Sequence, residues 1–258
     1  ENITALEVEG AFDDCQAMVK EAFLDEELNA ALRLTSANSI NIARLIPQTF
    51  YYFRGMQQLW NAPKNKVFCV PSGNFGNLSA GLIARKLGLA IHRMIAATNA
   101  NEVVPAYLKS GNFEPRPSLP TLSNAMDVGN PSNFYRMLDL YQGKWERIRK
   151  EIHGYSYGDE ETLAAMKKIY DKEGYVLDPH TAVGYLAAKE YLNSHPGEEV
   201  VVLGTAHPAK FSEAVSKALG KEAEVPERLA RLAHLPKEAR EMPAKFSTLK
   251  EFLLEEFM

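Results

Sequence analysis

Apolar residues fall in two alternating patterns along this chain. Short, mainly apolar runs occur at Lys66 to Val70, Ile91 to Ala97 and Glu199 to Leu203, each too brief for a helix and rich in valine, isoleucine and alanine. Such runs predict strands buried on both faces. Between them lie stretches with apolar positions at helical spacing. The spacing predicts helices over Ile40 to Leu59, Leu78 to Leu87 (closed by Gly88), Asn133 to Gln142, Trp145 to Ile152, Glu160 to Glu173 behind an Asp159 cap, Pro179 to about Asn193, and Pro208 to Leu219. Nearer the start, Ile3 to Val8 alternates like a strand until Gly10. Asp13 then caps a helix carrying Cys15, Met18, Val19, Ala22 and Phe23, and Ala31 to Thr35 reads as a further short strand. Beyond Val225 the chain is charged, punctuated by Pro226, Pro236 and Pro243, and ends in an amphipathic helix from Leu249 to Phe257. Strand and helix alternating at short spacing predict an α/β fold, an open and mostly parallel sheet with helices on both faces. One stretch departs from the rhythm: Gly111 to Pro131 is rich in proline, serine and asparagine, and too long to be mere linkage.

The junction after the first buried run carries the clearest chemistry. Pro71-Ser72-Gly73-Asn74-Phe75-Gly76-Asn77 leads from a strand into a helix of small residues. Two glycines at such a turn let backbone N–H groups converge, and the helix start adds partial positive charge, which is the form of a phosphate cradle. A triphosphate loop would need a lysine directly after the second glycine, and none follows Gly76. The dinucleotide pattern would need a third glycine, which is also missing. A single phosphate held by backbone and by Ser72, Asn74 and Asn77 fits best. A tight β–α turn whose glycines serve only packing has the same sequence form.

Two further segments sit where a strand gives way to a helix. In Asn38-Ser39-Ile40-Asn41-Ile42-Ala43-Arg44, Ser39 is placed to cap the long helix and Arg44 to fold back over its start. Together they could hold a second anion, arginine supplying a fork of donors suited to phosphate. An N-cap with an exposed arginine is the plainer alternative. In Gly204-Thr205-Ala206-His207-Pro208, Thr205 lies at the carboxyl end of a strand, where ligands bind in open parallel sheets. His207 and Lys210 are acid–base candidates by type only. Asp178-Pro179-His180 reads as a helix start with a structural histidine.

Composition narrows the class. A formal net charge of −4 over 258 residues leaves no basic excess for a nucleic-acid surface. No apolar run is long enough to span a bilayer as a helix, so no membrane partner is expected. No signal or transit pattern is visible, which makes the cytoplasm the expected setting; the oligomeric state, monomer or homodimer, is left open. Cys15 and Cys69 read as reduced, buried thiols without metal-ligand spacing. Opening at Glu1 and passing at once into a strand, the chain is expected to be the C-terminal piece of something longer.

Ser72 to Asn77 resembles the cofactor-phosphate loop of the fold-type II pyridoxal-phosphate enzymes, and its surroundings resemble the threonine synthase family. Asn38 to Arg44 resembles that family's substrate-phosphate segment; Asn124 to Asn133 and Gly204 to Phe211 resemble further signature segments. The resemblance covers essentially the whole chain. It implies a tryptophan synthase β-like fold and a pyridoxal 5′-phosphate enzyme, a lyase of threonine biosynthesis, that converts O-phospho-L-homoserine and water to L-threonine and phosphate. By position it implies that Ser72, Gly73, Asn74, Phe75, Gly76 and Asn77 hold the cofactor phosphate and that Thr205 faces the pyridine nitrogen. Asn38, Ser39 and Arg44 would grip the substrate phosphate. It further implies that residues 1–50 are the remainder of a small mobile domain and 51–258 the large cofactor-binding domain, with the boundary near Leu45 to Leu59. One departure stands out. The family's Schiff-base lysine belongs to a Phe-Lys-Asp type segment, and no such context surrounds Lys20, Lys64, Lys66, Lys86 or the later lysines. The chain alone is therefore expected to be inactive, with no catalytic residue of its own. A phospholyase releasing 2-oxobutyrate and a non-catalytic cofactor-binding module are the competing readings.

Overall fold

The computed structural model describes residues 2–59, 65–232 and 234–257. Lys64, one of the lysines considered above, lies outside the described residues. The chain divides into two compact units, residues 1–36 with 226–258, and residues 37–225.

In the first unit, strand β1 (Leu6–Glu9) is followed by helices α1 (Phe12–Leu24) and α2 (Glu26–Ala31). The second unit runs α3 (Leu45–Gln58), β2 (Lys66–Pro71), α4 (Gly76–Lys86), β3 (Arg93–Thr98), α5 (Val103–Ser110), α6 (Phe134–Leu140), α7 (Trp145–Glu151), β4 (Ile152–Ser156), α8 (Asp159–Glu173), α9 (Pro179–Ser194), β5 (Glu199–Val202) and α10 (Ser212–Leu219). The chain then returns to the first unit with α11 (Glu227–Ala230), β6 (Arg240–Pro243) and α12 (Phe246–Phe257). There β6 pairs in parallel with β1, and Lys250 of α12 holds Asp25 and Glu27, each at 2.8 Å. This pairing is why residues 226–258 belong with residues 1–36: the last stretch of chain completes the sheet begun by the first.

The larger unit contains the expected architecture. Its sheet has four parallel strands in the order β4-β3-β2-β5. Val67, Phe68, Cys69 and Val70 of β2 are all fully buried, because helices cover both faces. Alternation along the strand divides them. Phe68 and Val70 join Met94 and Ala96 in a core with α3, α4, α5 and α6, while Val67 and Cys69 join Ile95 and Ala97 against α9. Helix α4 crosses α3 closely at Gly81, where a methyl carbon would lie 2.5 Å from the Tyr52 ring.

Several expectations are corrected. Ala31 to Thr35 forms no strand; α2 ends at Ala31 and residues 32–35 run on unpaired in any sheet. The long helix begins at Leu45 rather than Ile40, preceded by a 3-10 turn, Ile42–Arg44. Pro47 is the reason. Without an N–H, and with its ring crowding the carbonyl four residues back, it is tolerated only in a helix's first turn. The start of α1 is closed by the carboxylate of Asp14, which accepts from the Ala11 N–H at 2.8 Å. Helix α5 and strands β4 and β6 were not anticipated. The stretch from Gly111 to Pro131 has, as expected, no regular element beyond a 3-10 turn at Asn124–Met126. None of the helices among the described residues is long and apolar enough to cross a membrane.

Candidate functional site

The strand order itself marks a place. From β2 the chain moves outward through β3 to β4, then returns to add β5 on the other side of β2. The carboxyl ends of β2 and β5 therefore flank the topological switch point, where open α/β sheets bind ligands. The glycine loop leaves β2 there. Gly204 and Thr205 follow β5, which stays in register as far as Leu203, whose N–H donates to the Cys69 carbonyl at 2.9 Å.

The loop's shape follows from its residues. Ser72 is buried, donating its N–H to the Ala97 carbonyl at 2.8 Å and its hydroxyl to the Val70 carbonyl at 2.9 Å. It therefore anchors the loop from beneath. Gly73 passes so close to the next segment that a methyl carbon would lie 2.7 Å from the Met126 Cα and 2.9 Å from the Ala125 carbonyl. Phe75 caps α4 in the left-handed region, at φ 60°, an uncommon conformation for a bulky residue. Its ring is buried in the core with Leu45 and Leu78, which offsets the strain. That turn leads directly into the first N–H groups of α4. Asn77 is held by the buried Tyr52, whose hydroxyl lies 2.8 Å from the Asn77 carbonyl and 3.0 Å from its side-chain oxygen. Burial pushes the Tyr52 phenol well above its ordinary pKa, so it stays a neutral partner here.

The Asn38–Arg44 segment lies directly on this loop. A methyl carbon at Gly76 would lie 3.1 Å from the Ser39 Cβ. The Ser39 hydroxyl accepts from Asn74 Nδ2 at 3.0 Å and from Asn133 Nδ2 at 3.1 Å, and donates to Asn38 Oδ1 at 3.1 Å. Asn74 in turn accepts at its Oδ1 from the N–H (2.6 Å) and the hydroxyl (3.0 Å) of Ser132. Ser39 is thus not the helix cap. Asn41 instead caps the 3-10 turn, accepting from the Ala43 N–H at 3.0 Å, and α3 follows behind Arg44 without a side-chain cap. Arg44 does fold back, donating to the Ala37 carbonyl at 2.5 Å.

Thr205 stands apart from this cluster, exposed beyond the end of β5. Its neighbour Gly204 is pressed against Thr181, where a methyl carbon would meet the hydroxyl at 2.9 Å. His207 caps the 3-10 turn that follows, accepting from the Ala209 N–H at 3.1 Å, and Lys210 is exposed. Asp178 caps α9 as anticipated. Burial alone would raise its pKa, but hydrogen bonds from His180, Thr181 and backbone N–H groups outweigh that and hold the carboxylate below its ordinary range. His180 Nδ1 lies 3.1 Å from the same carboxylate, and its buried Nε2 has no partner among the described residues.

Three residues at the site went unread in the sequence as site residues: Tyr52, Asn133 and Arg136. Arg136 reaches from α6 to the carbonyls of Ser39 and Ile40, both at 2.5 Å, and to Asn133 Oδ1. Asn133 opens that helix after Pro131-Ser132, a readable helix start, but nothing local says that its amide meets Ser39. A second feature missed was the anchor of the Gly111 to Pro131 excursion. Asp127 accepts from Asn99 Nδ2 (2.7 Å), Asn101 Nδ2 (3.2 Å), the Thr121 hydroxyl (2.7 Å) and the Thr121 N–H (2.9 Å). This staple fixes the Ala125-Met126 backbone that faces Gly73.

The geometry suits a bound phosphate. Both glycines are pressed against neighbouring residues so closely that a side chain would displace the loop, a left-handed turn leads into a helix N-terminus, and the polar side chains around it are uncharged. Comparison with known proteins agrees. The pyridoxal-phosphate dependent enzyme family matches residues 2–205, and the family described as threonine synthase, C-terminal, matches residues 181–253. The chain is 47% identical to the threonine synthase of Escherichia coli (strain K12) over 254 residues, covering 98% of this chain and 58% of that protein. The crystal structure of threonine synthase from Escherichia coli superposes with a TM-score of 0.92 at 46% identity, covering 99% of this chain and 59% of that one. That of pyridoxal-phosphate-bound threonine synthase from Brucella melitensis gives 0.87 at 35% identity, with 99% and 60% covered. The chain thus spans under two thirds of the length of the relatives it matches. It belongs to the pyridoxal-phosphate dependent enzyme family, with the fold-type II architecture and a likeness that runs to the threonine synthases within it.

Proposed function

We propose that the protein to which this chain belongs is a threonine synthase, converting O-phospho-L-homoserine and water to L-threonine and phosphate in the cytoplasm. The observation that carries this reading is the seating of two anion-type segments on one another. The Asn38–Arg44 turn is hydrogen-bonded through Ser39 to Asn74 of the glycine loop, at the switch point of the sheet. Two phosphates, one of the cofactor and one of the substrate, call for two such segments side by side.

In this reading the N–H groups of Gly73 to Asn77 hold the cofactor phosphate, with Ser72 fixing the loop beneath them. Pyridoxal phosphate, when bound, supplies the electron sink that this chemistry needs. Thr205 would offer the pyridine nitrogen a neutral hydroxyl, which does not compel protonation as a carboxylate would. Asn38, Ser39 and Arg44 receive the substrate phosphate and orient it for departure. The Asn74–Ser39 hydrogen bond keeps the two anions in fixed register, so that binding energy at the substrate phosphate positions the reacting carbons. No lysine of this chain stands in the Phe-Lys-Asp type context of the reaction's lysine, so the chain alone does not turn over.

The test is to incubate the full-length protein with pyridoxal phosphate and O-phosphohomoserine. Threonine and phosphate released in equal amounts support the proposal. Oxobutyrate as the main product would make it a phospholyase, and no turnover would leave a cofactor-binding module. This chain alone should release no phosphate above the uncatalysed rate.

A further inference from the structure

Arg136 has unusual company for a half-buried guanidinium. Its three acceptors, the Ser39 and Ile40 carbonyls and Asn133 Oδ1, are all neutral. The arginine ion pairs of the described residues are those of Arg85, Arg93, Arg116, Arg149, Arg231 and Arg240; neither Arg136 nor Arg44 takes part in one. Arg44 likewise spends its bond on a carbonyl, that of Ala37. Two positive charges therefore bracket the turn from Ala37 to Asn41 without a counter-charge. Burial lowers the Arg136 pKa, so its charged form sits where desolvation works against it. A partly desolvated cation without an anionic partner is costly unless something else supplies the negative charge.

The turn's own hydroxyl cannot carry that load alone. Ser39 Oγ accepts two N–H bonds and donates its proton to Asn38, which uses the full capacity of a hydroxyl. It can donate to an anion only by releasing Asn38. Arg136, by contrast, directs three of its five N–H donors at protein acceptors and keeps two.

We propose that Arg136 is a second cationic binding residue of the Ala37–Asn41 turn, which with Arg44 receives the phosphate dianion of the substrate. This rests on the assignment of Asn38, Ser39 and Arg44 to the substrate phosphate. Its consequence is specificity. Two arginines select a doubly charged phosphate ester over the free alcohol or a neutral acyl ester of the same amino acid, since only the dianion satisfies both.

The test uses the full-length protein saturated with pyridoxal phosphate, so that the glycine loop is occupied, and inorganic phosphate titrated by calorimetry, with R44Q, R136Q and R136K. The expected result is saturable binding that weakens roughly tenfold or more in R136Q and in R44Q, the loss of one charge-assisted contact to phosphate. R136K keeps the charge but not the fork, and should stay within about threefold of the parent chain. That last variant separates charge from scaffolding, because an ammonium keeps the charge but lacks the planar fork whose two nitrogens reach the Ser39 and Ile40 carbonyls and Asn133. If R136Q does not fold, R136K decides alone: near-parental affinity supports the proposal, and a loss as large as that of R44Q overturns it. If R44Q weakens binding and R136Q does not, the site assignment stands and this proposal falls. Absence of saturable binding, or binding unchanged in both arginine-to-glutamine variants, would sink the site assignment itself.

Discussion

Replacing Gly73 by alanine tests whether the glycine loop is a shaped cradle or an ordinary turn. The added methyl carbon would lie 2.7 Å from the Met126 Cα and 2.9 Å from the Ala125 carbonyl oxygen. Comfortable carbon contacts need about 3.5–4.0 Å, so roughly 0.8 Å must be found. The neighbour is backbone, and it is pinned: Asp127 ties its segment to Asn99, Asn101 and Thr121. The glycine loop has to give way instead. Such overpacking costs about 1–3 kcal/mol of stability. The same shift would lengthen two of the loop's amide-to-phosphate contacts from about 2.9 to about 3.7 Å, past the range of a hydrogen bond. Two charge-assisted bonds lost at about 1.5–3 kcal/mol each amount to at least a hundredfold or so in cofactor affinity. The assay is pyridoxal phosphate titration of the full-length protein, followed by absorbance, beside thermal denaturation of the same samples. Gly76→Ala is the internal comparison. Its methyl carbon would meet side-chain atoms alone, the nearest being Ser39 Cβ at 3.1 Å, so its stability loss should be the smaller of the two. A folded G73A protein that binds the cofactor like the parent, or a G76A protein destabilised more than G73A, would refute the reasoning.

Asp127→Asn keeps shape but replaces one acceptor oxygen by an amide donor facing Asn99, Asn101 and Thr121 donors; a loss of about 2–3 kcal/mol is expected in urea denaturation, and an unchanged midpoint would show that the staple is dispensable. Phe75→Gly sets two effects against each other. Relief of left-handed strain is worth about 1–2 kcal/mol, while deleting a buried phenyl costs about 3–5 kcal/mol. F75G should therefore be less stable by about 1–4 kcal/mol, and a stabilised variant would mean that strain dominates. His153 has its pKa held at about 4, first by burial and then by the charges of Arg93 and His195. The unfolded chain takes up this proton near the ordinary 6.5, so between those values the unfolded state binds more protons and stability falls as pH falls. His153→Gln should flatten the pH dependence of the denaturation midpoint across that window, whatever its effect at neutral pH; an unaltered slope would assign the dependence elsewhere.

What the chain's own residues determine is local. Val67 to Val70 is apolar at every position, and that alone predicts a strand covered on both faces, because alternate side chains point to opposite sides. Gly73 and Gly76 before a small-residue run predict a turn into a helix start for reasons of backbone freedom that need no neighbour. The family segments around Asn38, Ser72 and Gly204 are readable for the same reason: each is a short stretch in which residue type, turn and helix start coincide. The misses share a cause too. Strand β4 carries Gly154 and half-buried His153 and Tyr155 in place of an apolar run, since it lies at the sheet edge, where pairing with β3 rather than burial makes it a strand. The β1–β6 pair joins residues 6–9 to 240–243, and no local signal reports a partner that distant. The contacts that make a site out of a loop are of this second kind. Tyr52 to Asn77, Asn133 to Ser39 and Arg136 to Ile40 bridge 25, 94 and 96 positions. Sequence sets which groups can donate, accept or turn, because those are properties of one residue and its immediate backbone. Which of them meet is decided by strand order and helix packing, so the glycine loop was legible while the arginine holding the turn that lies on it was not.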